Sequence, residues 1–221
     1  MGEQRVIRRN VLSAILLACL PFTPVFAASI SVVVKDHKDT PLKDAVITVY
    51  VPSAKKVRKP GKKVMDQINK EYVPHVLVVE KGTPVYFPNK DDIRHHVYSF
   101  SRAKKFELPL YKGTPAKPIV FDKTGVIKLG CNIHDWMLGY IYVVDTPYYA
   151  TSADNGRLKI SGIPAGEAKV MVWHSRMMGK PEKTVKQIKL STGDTASIDY
   201  QLKVRKEFRV RRAPRAGGSR Y

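Results

Sequence analysis

The sequence of 221 residues is poor in cysteine, with only Cys19 and Cys131, and poor in acid, with 19 Asp and Glu against 39 Lys and Arg. So few thiols exclude a thiolate-held iron–sulfur cluster, and no Cys-x-x-Cys-His run is present to attach haem. There is no phosphate-cradling glycine loop, no Ser-His-Asp arrangement and no paired-carboxylate motif, so catalysis is not expected. Long amphipathic helix patterns are also missing, and beyond residue 27 no apolar run is long enough to cross a membrane. What is present is 43% apolar residues, enough for a core, and a formal charge of +20.

Arg5, Arg8 and Arg9 precede an apolar stretch from Val11 to Phe26 broken by Pro21 and Pro24, and Val25-Phe26-Ala27 reads as a small-residue cleavage site. The expectation is a cleaved export signal over residues 1–27 and a periplasmic protein. Arg8-Arg9 before Val11-Leu12 is a partial twin-arginine pattern. Leu16-Leu17-Ala18-Cys19 resembles a lipobox, but Leu17 suits it poorly, so a lipoprotein anchored at Cys19 is the lesser expectation. Cleavage removes three Lys/Arg and one Glu and leaves +18. It also leaves Cys131 alone, so the exported chain has no internal disulfide and its thiol must be buried, paired with another chain or bound to metal.

Two stretches concentrate the cations: six in nine residues from Lys55 to Lys63, and eight against Glu207 alone from Lys203 to Arg220. They read either as a solvated loop and frayed tail or as attraction to an acidic periplasmic redox protein or an anionic membrane surface. Export argues against nucleic acid, and a monomer is expected.

Period-2 apolar patterns dominate: Ile30–Val34, Ala45–Val51, Val76–Val79, Val85–Phe87, Val97–Phe100, Val126–Leu129, Tyr140–Val144, Leu158–Ile160, Ala168–Trp173, Val185–Leu190 and Ala196–Leu202. Turn signals such as Asp39-Thr40-Pro41, Asp154-Asn155-Gly156 and Thr192-Gly193-Asp194 separate them. Short strands at this spacing predict an all-β protein built from antiparallel sandwiches.

The run Gly130-Cys131-Asn132-Ile133-His134-Asp135-Trp136-Met137-Leu138-Gly139 places a thiolate, an imidazole and a thioether within seven residues between two strands. Soft sulfur with imidazole suits copper in both oxidation states. Two His and one Cys with a distant axial Met make an electron-transfer site, so a second histidine must come from elsewhere. The segment Asn89-Lys90-Asp91-Asp92-Ile93-Arg94-His95-His96-Val97-Tyr98 supplies it. Neighbouring strand residues face opposite ways, so His95 or His96, not both, can point at the ion. Zinc is the competing metal, but a thioether is a poor ligand for it. Taken singly, Cys131 reads as a small buried hydrophobe, His134 as a loop histidine and Met137 as core; the joint spacing is what favours metal.

With Gly82-Thr83-Pro84-Val85-Tyr86-Phe87-Pro88-Asn89, His95-x-Val97 and Cys131-x-x-His134-x-x-Met137, residues 66 to 145 resemble a cupredoxin, nearest amicyanin in loop length and more loosely plastocyanin. Most of the exported chain also resembles methylamine-utilisation-like cupredoxins. The resemblance implies a Greek-key sandwich and copper, cycling between Cu(I) and Cu(II), on His95, Cys131, His134 and Met137. It puts Asn89, His96, Asn132 and Trp136 around the ligands, with His134 as the electron port and Trp136 and Leu138 bordering it. The sequence departs from the family at His96, where Asn is usual, and at Ile133, where Pro is frequent.

The stretches Ile30–Val51 and Tyr149–Trp173 resemble the two halves of transthyretin-like or carboxypeptidase-regulatory-like domains. The expected organisation is a signal over 1–27, a split small sandwich over 28–54 and 146–203, a cupredoxin domain over 55–145, and a basic tail over 204–221. His174 is expected to be structural, His37 and His75 to lack partners, Tyr148-Tyr149 to be an edge or packing pair, and Glu107 and Asp135 to form no acid–base pair. The expected function is single-electron transfer. Copper delivery without electron transfer, or a structural protein with a decayed site, are the alternatives.

Overall fold

The structure, a computed structural model, describes residues 27–52, 54 and 60–206. The expected signal with Cys19, the cation-dense residues 55–59 and the tail beyond residue 206 lie outside the described residues. The described chain is all β apart from one short 3-10 turn at Pro181–Thr184, and no helix in it is long and apolar enough to cross a membrane.

The chain opens with β1 (Ala28–Asp36) and β2 (Val46–Tyr50). Ten strands follow: β3 (Lys63–Val64), β4 (Asp66–Ile68), β5 (Glu71–Val73), β6 (Val76–Glu80), β7 (Thr83–Tyr86), β8 (His95–Ser101), β9 (Lys104–Tyr111), β10 (Ile119–Phe121), β11 (Gly125–Gly130) and β12 (Leu138–Val144). The last five are β13 (Tyr148–Thr151), β14 (Arg157–Ile163), β15 (Gly166–Trp173), β16 (Lys186–Leu190) and β17 (Thr195–Leu202).

The first two strands pair only with the last five. β1 lies between β14 and β17, parallel to β17, while β2 lies between β13 and β15, with β16 beyond. Alternation explains why these two sheets stack. Ala28, Ile30, Val32 and Val34 of β1 point inward at every second position, as do Ile198, Tyr200 and Leu202 of β17, and they meet Ile47, Val49, Val170 and Val172 in one buried cluster. Tyr200 crosses that core and donates its hydroxyl to the carbonyl of Val170 at 2.8 Å.

The middle strands build their own layers. β6-β12-β11-β8-β9 form a five-stranded sheet, β10-β7-β3 a three-stranded one, and β4-β5 a hairpin. Between them Met65, Val85, Phe87, Val97, Phe121, Ile127, Leu129 and Ile141 are buried together with Cys131 and Met137. A third cluster draws on both sets of strands: Val46 and Trp173 meet Val76, Val78, Tyr142 and Val144. Trp173 stands edge-on to Tyr140 and Tyr142, with ring centroids 5.7 and 5.3 Å away, a geometry worth about 0.5–1.5 kcal/mol per pair beyond burial.

Several elements differ from the sequence reading. Charges and Pro109 hide any strand period in Lys104–Tyr111, yet it forms β9, the sheet edge where lysine and proline discourage further pairing. The hairpin β4–β5 also escapes a period-2 reading, since each strand has three residues. Tyr148-Tyr149 opens β13, an edge strand on β2.

Candidate metal centre

The seven residues 131–137 form a closed loop, because β11 and β12 pair up to the rung Gly130↔Leu138. Inside it the Met137 N–H donates to the His134 carbonyl at 2.9 Å. Cys131 is 3% exposed and Met137 1% exposed, both inside the core of the middle strands. His134 is half-buried, with Ile133, Asp135 and Trp136 exposed beside it.

β8 enters from the opposite side. Its first residue, His95, is fully buried and turns its Nδ1 to within 3.9 Å of Cys131 Sγ, while His134 Nδ1 lies 3.8 Å from the same sulfur. His95, Cys131 and His134 are the one group of three such side chains among the described residues whose ligand atoms all lie within 4.8 Å of one another. Sulfur and nitrogen donors about 2.3 and 2.0 Å from a common ion would be this far apart at an obtuse angle, so the three fit around one ion.

The second nitrogen of His95 explains which face of the ring is free. Nε2 donates to Asp91 Oδ2 at 2.7 Å, so the proton sits on Nε2 and Nδ1 keeps its lone pair toward the sulfur. Asp91 also receives the backbone N–H groups of Asn69 and Lys70 at 2.7 and 2.8 Å. Burial alone would raise its pKa, but the hydrogen bonds from Lys70, His95 and Asn69 outweigh that and hold the carboxyl below its usual range. His134 is shifted down, first by burial and then by the nearby His95 ring, which favours the neutral, ligating imidazole.

His96 takes the other direction. Its Nε2 donates to Glu107 Oε1 on β9 at 2.8 Å, and its buried Nδ1 has no partner among the described residues. The geometry thus separates the adjacent histidines, with the β8–β9 register shifting between His95 and Val97. Glu107 therefore meets His96 across the two strands, a contact the sequence reading did not include. Asn89 secures the approach to His95: its side-chain amide donates to the carbonyls of Ile93 and Tyr111 at 2.8 and 2.9 Å, and its oxygen accepts the Asp91 N–H at 3.0 Å.

No family model matches the sequence, and no curated protein matches it. Solved structures do. One is a purple cupredoxin from Nitrosopumilus maritimus, 26% identical, matched over 37% of this chain and 96% of that one with a TM-score of 0.32. Another is an amicyanin variant in its reduced Cu(I) form, 24% identical over 44% of this chain and 98% of that one, TM-score 0.34. A third is the Cu-containing nitrite reductase of Thermus scotoductus SA-01, 24% identical over 45% of this chain and only 26% of that one, TM-score 0.37. This chain is similar to cupredoxins. The transthyretin-like likeness of the flanking segments stays an expectation.

Around the loop 131–137, the Trp136 ring centroid lies 5.2 Å from that of His134, and Trp136 is 37% exposed. With Ile93 at 38% and Ile133 at 47% exposed, the histidine loop and the approach to β8 both present apolar side chains to solvent. Asn132 is exposed, and the described close neighbours of the Cys131 sulfur are the two imidazoles rather than the Asn132 side chain. Asp135 is exposed. His37 is exposed in the turn after β1. His75 is not without a partner: its Nδ1 donates to the Leu138 carbonyl at 3.1 Å and its ring stands edge-on to Tyr140. His174 is buried and donates from Nε2 to the Lys43 carbonyl at 3.1 Å, a purely structural tie.

Proposed function

We propose that the chain is an exported copper protein that carries single electrons, in which His95, Cys131, His134 and Met137 would hold the ion. The observation that carries the reading is the convergence of one thiol and two imidazole nitrogens, from two separate segments, within 4.8 Å of each other. The donor chemistry decides between metals. One soft sulfur, two imidazoles and a thioether in the same loop suit copper in both oxidation states and suit zinc poorly. Copper in such a site supplies one-electron chemistry between Cu(I) and Cu(II).

The residues do the rest. Asp91 holds the His95 tautomer, and β8 and β11–β12 hold the two ligand segments at fixed separation. Burial of Cys131 and His95, at 3% and 0% exposure, favours keeping the ion over handing it on, which argues for a carrier rather than a delivery protein. His134 is the ligand nearest solvent and has Trp136 and Ile133 beside it, so it is the candidate electron port. The pattern of residues 1–27 supports export to the periplasm, and the excess of 39 basic over 19 acidic residues supports an acidic redox partner. We also read residues 55–145 as the copper domain, inserted into a small sandwich formed by 28–54 and 146–203; the separate buried clusters support this division. Titration of purified protein with Cu(I) and Cu(II) tests the proposal: one ion per chain with reversible one-electron reduction is expected, and loss of copper to a weak chelator would favour delivery.

A further inference from the structure

The hairpin β4–β5 carries none of the proposed ligands, yet it touches both halves of the donor set. At its turn, Asn69 and Lys70 have φ of 56° and 60°, the left-handed pair that such a two-residue turn requires. Their N–H groups donate to Asp91 Oδ1 and Oδ2, and the same Oδ2 accepts His95 Nε2–H. A few residues along, Tyr72 is 2% exposed and donates its hydroxyl to the carbonyl of Gly130 at 2.9 Å, immediately before Cys131. The same side chain packs on Gly139: a Cβ there would stand 2.7 Å from Tyr72 Cβ and 2.9 Å from Cγ. One aromatic side chain therefore spans both strand ends that close the loop 131–137.

We infer that Tyr72 is a positioning residue, and that the β4–β5 hairpin ties the His95 segment to the Cys131–Met137 loop so that neither moves alone. The purpose of such a brace rests on the copper reading above; its geometry does not. A buried hydroxyl that loses its acceptor, or a carbonyl that loses its donor, costs free energy, so the phenol resists any displacement of Gly130. The effect matters at a redox centre because ligands held from outside the loop shift little when the charge on the ion changes. Burial also pushes the Tyr72 phenol well above its usual pKa, so it remains a neutral donor.

The variant Tyr72→Phe keeps the ring on Gly139 and removes only the hydroxyl. In the metal-free full-length chain, amide hydrogen exchange of Met137 is expected to quicken about two- to tenfold, with the amides of β1 and β17 unchanged. Asp91→Asn weakens the other anchor and is expected to quicken the same amide. The double variant should then accelerate it by less than the product of the two single effects, because either change alone loosens the shared brace. In copper-loaded protein, Tyr72→Phe is expected to retain the ion but change the relative intensities of the thiolate charge-transfer bands. Unchanged Met137 exchange in metal-free Tyr72→Phe would overturn the inference, as would strictly multiplicative effects in the double variant. If Tyr72→Phe does not fold, Gly139→Ala, which forces the ring from its seat, must show the same acceleration. The metal-free arm decides on Tyr72 even if wild type takes no copper, so the two readings can fail separately.

Discussion

Replacing His95 and His96 by alanine, one at a time, separates two rings that adjoin in sequence and are both buried, at 0% and 6% exposure. In wild type at free copper about 1,000 times Kd, binding to the folded state alone adds about 4 kcal/mol. For a chain of this size that raises the midpoint by about 8–16 °C, at about 2–4 °C per kcal/mol. His95→Ala removes a nitrogen 3.9 Å from the sulfur and leaves Asp91 without its imidazole, so most of that rise is expected to vanish. His96→Ala removes a buried ring and its bond to Glu107, whose side chain is 66% exposed. The exposed end contributes little, and the lost packing costs about 2 kcal/mol, so the metal-free midpoint falls while the copper-induced rise stays near its wild-type size. Calorimetric scans of both variants with and without copper read the two effects directly. Persistence of the full rise in His95→Ala, or its loss in His96→Ala, would refute the assignment of the two rings.

Acid should destabilise the metal-free protein in two stages. His134 has a folded pKa below 6.5, so its contribution is present above that value and is lost as pH falls below it. Asp91 has a folded pKa below 3.8, so its contribution is lost only at more acid pH; urea midpoints between pH 8 and 3 check both. Gly156→Ala should destabilise the sheets built on β1 and β2 by about 2 kcal/mol or more without disturbing copper spectra, because the position has φ +71° and a Cβ there would collide with the Val34 carbonyl. Raising salt from low to physiological strength should slow electron exchange with an acidic redox protein but leave exchange with a neutral small oxidant nearly unchanged. Trp136→Ala should slow exchange with both while leaving the copper spectrum in place, if electrons pass at His134.

The residues that converge in the structure were legible where the chemistry is local. Cys131 and His134 lie within one loop, and the alternation of β1 and β17 shows directly in their apolar periods. What was illegible is non-local or masked by polarity. Tyr72 meets Gly130 across 58 positions, and nothing in a three-residue strand announces that contact. Asp91 stands four positions before His95, a spacing that hints at a carboxylate–imidazole contact, yet three acidic or basic neighbours share that stretch and only the folded turn singles it out. Glu107 was unreadable as the partner of His96 because β9 itself was unreadable, its lysines and Pro109 looking like loop. His75 reads as a strand start, and its bond to Leu138 exists only because β6 lies parallel to β12.

The visible absorption spectrum of copper-loaded wild type beside Cys131→Ser tests the site most directly. A thiolate bound to Cu(II) gives an intense visible charge-transfer band, and the serine variant, which keeps both imidazoles and the thioether, must lose it. A wild type that stays colourless with Cu(II), or a serine variant with the same band, would contradict a copper–thiolate centre built on Cys131.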